Sequence, residues 1–144
     1  MRKQDQKSYR NFLSQVSSDL SEADSKQEQL EYLIELGQDL AIDTSLLTYQ
    51  DLRVAGCASN TFVKLSQADT LLEFQCYSDS YVVKGYLAIF QRCLHKLEIT
   101  SFPKAMKAIE KFAQESNFHV SHIPSRAEAF STIFKVIQSQ YQTL

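Results

Sequence analysis

Two short segments of strand character, joined by a polar connection and set between helical patterns, most constrain what this chain can fold into. Thr61 to Leu65 is β-branched and aromatic. Leu72-Glu73-Phe74-Gln75-Cys76 alternates apolar and polar residues, so Leu72, Phe74 and Cys76 share one face. Gln67-Ala68-Asp69-Thr70 suits a hairpin loop between them, which makes the pair antiparallel. Helical segments on both sides supply the second layer that a small sheet needs. The expected class is α+β, a small antiparallel sheet packed against helices.

The helical patterns are legible one by one. Tyr9, Phe12, Leu13 and Val16 predict a short amphipathic helix, followed by a polar stretch from Ser17 to Gln27. Ser25-Lys26-Gln27-Glu28 has the capping-box form, in which hydroxyl and carboxylate serve each other's orphan amides. Leu30, Leu33 and Ile34 then face one side, with Gly37 as the expected helix stop. Gln38 to Leu52 reads as a connection with one short turn. After the hairpin, Ser78-Asp79-Ser80 is placed to cap a helix, with Asp79 read as a cap. The stripe of that helix is Val83, Tyr86, Leu87, Phe90, Leu94 and Leu97. Gly85 within it costs about 1 kcal/mol relative to Ala, which either a close packing neighbour or a ligand would justify. Pro103 suits a first helical turn ahead of Met106, Ile109 and Phe112. Ser125-Arg126-Ala127-Glu128 repeats the capping-box form and opens a helix bearing Phe130, Ile133, Phe134, Ile137 and Tyr141.

Length and composition narrow the function classes. At 144 residues the chain fits one domain, or one domain with an appended arm. A net charge of −2 argues against a nucleic-acid binder driven by phosphate attraction. No apolar run is long enough to cross a bilayer. Met1 to Lys7 lacks the apolar stretch of a secretion signal, and Asp5, Asp19 and Glu22 fit poorly with a transit peptide. A cytoplasmic location is expected.

Three cysteines, Cys57, Cys76 and Cys93, form no CxxC pair, so neither a disulfide framework nor a metal site is expected. Cys76 shares its face with Leu72 and Phe74, and Cys93 borders the apolar stripe, so both should be buried. Cys57 differs. It sits in Arg53-Val54-Ala55-Gly56-Cys57-Ala58-Ser59-Asn60, where Gly56 lets the backbone bend sharply and Ser59 and Asn60 are loop formers. Two readings stand at this point: an accessible thiol suited to exchange, or a small hydrophobe that caps a strand.

The chain resembles the SufE family of sulfur acceptors (SufE/CsdE-like) in four ordered blocks. These are Tyr32-Leu33-Ile34-Glu35-Leu36-Gly37, then Arg53-Val54-Ala55-Gly56-Cys57-Ala58-Ser59, then Ser78-Asp79-Ser80-Tyr81-Val82-Val83-Lys84-Gly85-Tyr86, and Pro124-Ser125-Arg126. The resemblance covers a SufE-like domain over residues 21–144, with residues 1–20 as an N-terminal amphipathic arm. The chain departs from the family pattern at Ala58, at Asn60-Thr61-Phe62, and at Glu128 and Ala129. The resemblance implies a SufE/IscU-like fold. It also implies that Cys57 accepts persulfide sulfur from a SufS/CsdA-like cysteine desulfurase and stimulates that enzyme. The sulfur would pass on to an iron–sulfur scaffold for cluster assembly. The pyridoxal phosphate of this chemistry belongs to the desulfurase, so no cofactor and no independent turnover are expected here.

Sulfur exchange proceeds through a thiolate that attacks an outer sulfur, so thiolate fraction and access govern its rate. Arg53 is the nearest cation in sequence, and Arg126 belongs to a matched block. Either would favour a thiolate, or serve simply as a surface or capping arginine. Gly56 and Ser59 complete the candidate site for partner binding or thiolate support. Two other classes use the same cysteine: a hydrolase pairing Cys57 with His119 or His122, and an IscU-like iron–sulfur scaffold needing several converging ligands.

Overall fold

A computed structural model describes residues 6–116 and 124–144, with side chains from 7 to 116 and from 128 to 144. Helix α1 (Gln6–Glu22) buries Tyr9, Leu13, Val16 and Leu20, one residue per turn along a single face. It runs further than the sequence pattern predicts, because Leu20 extends the apolar face by a turn. The polar residues from Ser17 to Asp19 are less deeply buried. Helix α2 (Lys26–Gly37) is capped by Ser25, whose Oγ accepts the Glu28 N–H at 3.1 Å. The carboxylate of Glu28 accepts the N–H of Asp24 at 2.8 Å, so the expected box closes one residue earlier than its reciprocal form. Tyr32 of α2 donates to Asp19 Oδ2 of α1 at 2.8 Å and ties the two helices together. The connection that follows holds two single helical turns, Thr44–Thr48 and Gln50–Leu52.

Strands β1 (Thr61–Ala68) and β2 (Leu71–Ser78) pair antiparallel, in register from Thr61 opposite Ser78 to Ala68 opposite Leu71. Both are longer than predicted, since the turn shrinks to Asp69 and Thr70. Asp69 takes φ 56°, a left-handed conformation that Asp tolerates. Along β2 the buried residues are Leu72, Phe74, Cys76 and Ser78, so the predicted alternation continues onto one polar residue. Neither edge of this ribbon is left bare. Gln140 accepts the Leu65 N–H at 2.7 Å and donates to Val63 O at 2.9 Å. On the other edge, Leu72 N–H donates to Leu97 O at 2.8 Å, and Phe74 N–H to His95 Nδ1 at 3.1 Å. Covered edges deny the sheet a template for pairing with other chains.

Helix α3 (Tyr81–Leu94) is the central element. Val82, Val83, Gly85, Tyr86, Leu87, Ile89, Phe90, Cys93 and Leu94 are all buried, which leaves little of its surface to solvent. It packs against β2, α1, α2, α4 (Phe102–Glu115) and α5 (Pro124–Gln142). Pro103 stands in the first turn of α4, and Ala105, Met106, Ile109 and Phe112 form its buried face. From α5, Phe130 stacks on Phe90 at 4.8 Å between ring centroids and meets Tyr86 edge-on at 5.5 Å. The α+β class is as expected from the sequence. The capping box predicted at Ser125 lies outside the described side chains.

Packing, and not a ligand, accounts for Gly85. A Cβ there would collide with the backbone carbonyl of Leu33 in α2. Gly37 is the reciprocal case: its Cβ would lie 2.7 Å from the Gly85 nitrogen. Gly37 does not take the left-handed conformation of a glycine stop, since Gly56 is the one described glycine with positive φ. Two backbones at van der Waals distance therefore require both glycines. Gly85→Ala gains about 1 kcal/mol of helix propensity, against about 1–3 kcal/mol or more for overpacking a rigid neighbour. Urea unfolding should show a net loss of stability. A variant as stable as the parent would contradict the contact.

Candidate functional site: the Cys57 loop

The loop carrying Cys57 is closed at its base. Val54 N–H donates to Thr61 O at 2.8 Å, and Arg53 forms an isolated antiparallel bridge with Phe62. The base thus continues the β1 end of the hairpin, opposite its turn. Gly56 takes φ +83°, and a Cβ placed there would meet nothing within 4 Å. Its requirement is purely conformational, the left-handed turn that side chains resist.

A second tie comes from beyond β2. Asp79 Oδ1 accepts the Asn60 N–H at 3.0 Å and Oδ2 accepts from Asn60 Nδ2 at 3.0 Å. The Asp79 N–H donates back to Asn60 O at 3.2 Å. Asp79 is therefore not the α3 cap that the sequence led us to expect. Ser80 performs that task, its Oγ accepting the Val83 N–H at 3.3 Å. Arg53 donates to Asn60 Oδ1 at 3.5 Å, so its hydrogen-bonding group serves the loop frame and not the sulfur.

The Cys57 side chain turns inward. Its relative exposure is 7 %, and it joins the apolar core cluster. The turn chemistry leaves an accessible thiol and a packed one both open. The structure folds the loop back so that the sulfur lies beneath it. The two sequence readings thus merge: a turn-borne thiol that is also packed. Sγ lies 3.2 Å from Ser59 Oγ and donates to Thr61 Oγ1 at 3.5 Å. Ser59 Oγ and Thr61 Oγ1 are 2.8 Å apart, and Thr61 Oγ1 is 3.0 Å from Ser78 Oγ.

The other two thiols are spent on packing. Cys76 and Cys93 are both 0 % exposed. Burial, reinforced by the charge of Asp43, pushes the Cys76 thiol up to about 12. Burial likewise pushes the Cys93 thiol well above the usual range. Both stay protonated, which disables them as nucleophiles. Among the described residues no three His, Cys, Asp or Glu side chains come together as a metal would require. The Arg126 side chain, His119 and His122 lie outside the described residues.

Sequence reasoning singled out Cys57, Gly56 and Ser59, and the structure sets Asn60, Thr61, Ser78 and Asp79 beside them. One signal was available. Extending the alternation of β2 by two residues puts Ser78 on the buried face beside Cys76, where a hydroxyl needs a partner.

Fold and loop together define an α+β domain that shelters one turn-borne thiol at the open end of a hairpin. Residues 14–141 match the family described as "SufE: Fe-S metabolism associated domain". The chain belongs to the SufE family. An uncharacterised SufE-like protein of Synechocystis sp. is 31% identical over 88 residues, covering 61% of this chain and 54% of that protein. One from Rhizobium meliloti is 31% identical over 81 residues, covering 54% of this chain and 58% of the other. The chain thus spans little more than half the length of either relative. A hypothetical protein from Thermus thermophilus, solved in solution, shares the fold with a TM-score of 0.69 at 14% identity. That likeness covers 94% of each chain. No helix among the described residues is long and apolar enough to cross a membrane.

Alkylation should sort the three thiols. In the native protein at mildly alkaline pH, iodoacetamide is expected to label Cys57 first and to reach Cys76 and Cys93 only on unfolding. Asp79→Ala, which removes the side-chain tie on Asn60, should speed Cys57 labelling several-fold. Equal labelling of Cys57 and Cys76 in the folded protein would contradict this ranking.

Proposed function

We propose that this protein accepts sulfur on Cys57 from a pyridoxal-phosphate-dependent cysteine desulfurase, stimulates that enzyme, and passes the sulfur on for iron–sulfur cluster assembly. One observation carries the reading: of three thiols, Cys57 alone sits in a short loop tied at its base, while the other two lie within core elements. Membership of a family associated with Fe–S metabolism supports the same reading.

The chemistry is a displacement at sulfur. The Cys57 thiolate attacks the outer sulfur of a donor persulfide, forming a new sulfur–sulfur bond. The donor's own sulfur–sulfur bond breaks, and its electron pair leaves on the donor cysteine as a thiolate. No oxidant is consumed. Attack needs approach along the breaking bond, which the retracted loop does not permit, so the loop opens toward the donor and closes afterwards. Residues 55 to 60 can swing about the buried Val54 when a small set of ties gives way: Asn60 with Asp79 and Arg53, and Cys57 and Ser59 with Thr61. The desulfurase holds its own cofactor, and this chain contributes the acceptor sulfur.

Two measurements test the reading. Added to a cognate desulfurase with free cysteine and reductant, the protein should increase sulfide release, and Cys57→Ser should abolish the increase. Without reductant, peptide mass mapping should find one extra sulfur on the Cys57 peptide, removable by a thiol. Full stimulation by Cys57→Ser would overturn the acceptor role. Extra sulfur on Cys76 or Cys93 would overturn it equally.

A further inference from the structure

Two polar side chains are buried among the described residues, Thr61 at 0 % and Ser78 at 1 % exposure, and both lead to the Cys57 sulfur. They face each other as the last cross-strand pair of the hairpin. Buried hydroxyls must be paired, and the way these pair has a direction. The Ser80 N–H donates to Ser78 Oγ at 3.1 Å, and a backbone amide cannot reverse its role. With that oxygen already accepting, the Ser78 hydrogen is best used toward Thr61 Oγ1 at 3.0 Å. The Thr61 hydrogen then turns to Ser59 Oγ at 2.8 Å, Ser59 turns its own to the sulfur at 3.2 Å, and the neutral thiol donates back to Thr61 Oγ1 at 3.5 Å.

We propose that Ser59, Thr61 and Ser78 form a directed hydroxyl chain that cradles a sulfur anion at Cys57 inside the retracted loop. The anion is the thiolate that precedes transfer. A buried anion is tolerable only where hydrogen bonds replace its lost water. Ser59 donates to the sulfur, whereas Thr61 and Ser78 act through Ser59 as positioning residues. The chain ends on the amide of Ser80, the residue that caps α3, so the anion is coupled to a rigid helix start. The charged side chains shown bonded to the loop are Arg53 and Asp79, and both bond to Asn60. Within the described residues the sulfur's hydrogen-bond partners are hydroxyls alone. The cradle's use in sulfur transfer rests on the acceptor reading, but its existence does not.

The decisive comparison is Thr61→Val against Thr61→Ser. Valine keeps the shape and removes the hydroxyl, whereas serine keeps the hydroxyl. With carbon-13 at cysteine Cβ, the Cys57 resonance followed against pH reads the ionisation of that thiol separately from the other two. Thr61→Val and Ser78→Ala should each move the midpoint upward, leaving about tenfold less thiolate at neutral pH, since one pH unit is a factor of ten. Thr61→Ser should stay near the parent. An unmoved midpoint in folded Thr61→Val overturns the cradle. Should that variant not fold, an unmoved midpoint in Ser78→Ala overturns it instead. Loading with desulfurase and cysteine separates the two claims. If the parent takes no sulfur while the midpoints still move, the acceptor reading falls and the cradle stands. If it takes sulfur and the midpoints do not move, the reverse holds.

Discussion

The close crossing of α2 over α3 at Gly37 and Gly85 is the constraint on which the rest of the structure depends. With no side chain between them, α2 lies against the backbone of α3, and α3 is left surrounded on nearly every side. A helix so enclosed cannot shift without disturbing every neighbour, because close-packed interiors transmit displacement. The first residues of α3 follow directly from β2. The corner from Ser78 through Ser80 is therefore held in place by the helix core and not by its own loop. That corner meets the Cys57 loop through Thr61 and Asn60. A packing decision made by two glycines thus places the hydroxyl of Ser78 and the carboxylate of Asp79 against a loop about twenty residues away in sequence.

Under the proposed acceptor role, two demands oppose each other around the sulfur. Exchange needs an open line of approach, and storage of a reactive sulfur needs exclusion of water and reductants. The loop meets both by being lightly tied. A net contribution of about 1 kcal/mol for each backbone or side-chain hydrogen bond makes opening cost a few kcal/mol. That cost leaves the open form a minor but accessible population, which a partner with higher affinity for it can draw out. Asp79 suits such a tie, since it is exposed and its bonds to Asn60 lie at the surface. Gly56 lets the chain reverse without strain in the closed form.

Much of this architecture is legible in the order of residues alone. Helical stripes depend on local spacing, and Tyr9 to Val16, Val83 to Leu94 and Met106 to Phe112 bury the faces their sequences predict. Cys76 and Cys93 are readable as core residues because each sits in a periodic apolar pattern, and Cys57 stands out because it does not. What local spacing leaves open is non-local. The length of α1 turns on whether Leu20 finds a neighbour, and the role of Asp79 turns on an asparagine on the far side of a hairpin. Both are questions of what lies opposite, which no spacing along one segment encodes.

The sequence by itself determined the class of fold, the antiparallel pairing, the helix faces, and which thiol is exceptional, because all of these follow from periodicity and turn chemistry within short windows. Only the tertiary structure decided which way that thiol points. The same glycine turn is compatible with a sulfur aimed outward or inward. The choice is made by the pocket of core residues and buried hydroxyls that Thr61 and Ser78 bring together from two strands. It also decided that Gly85 exists for a backbone contact and not for a ligand. In both cases the physical reason is the same: the partner group comes from a distant part of the chain, and only folding brings it near.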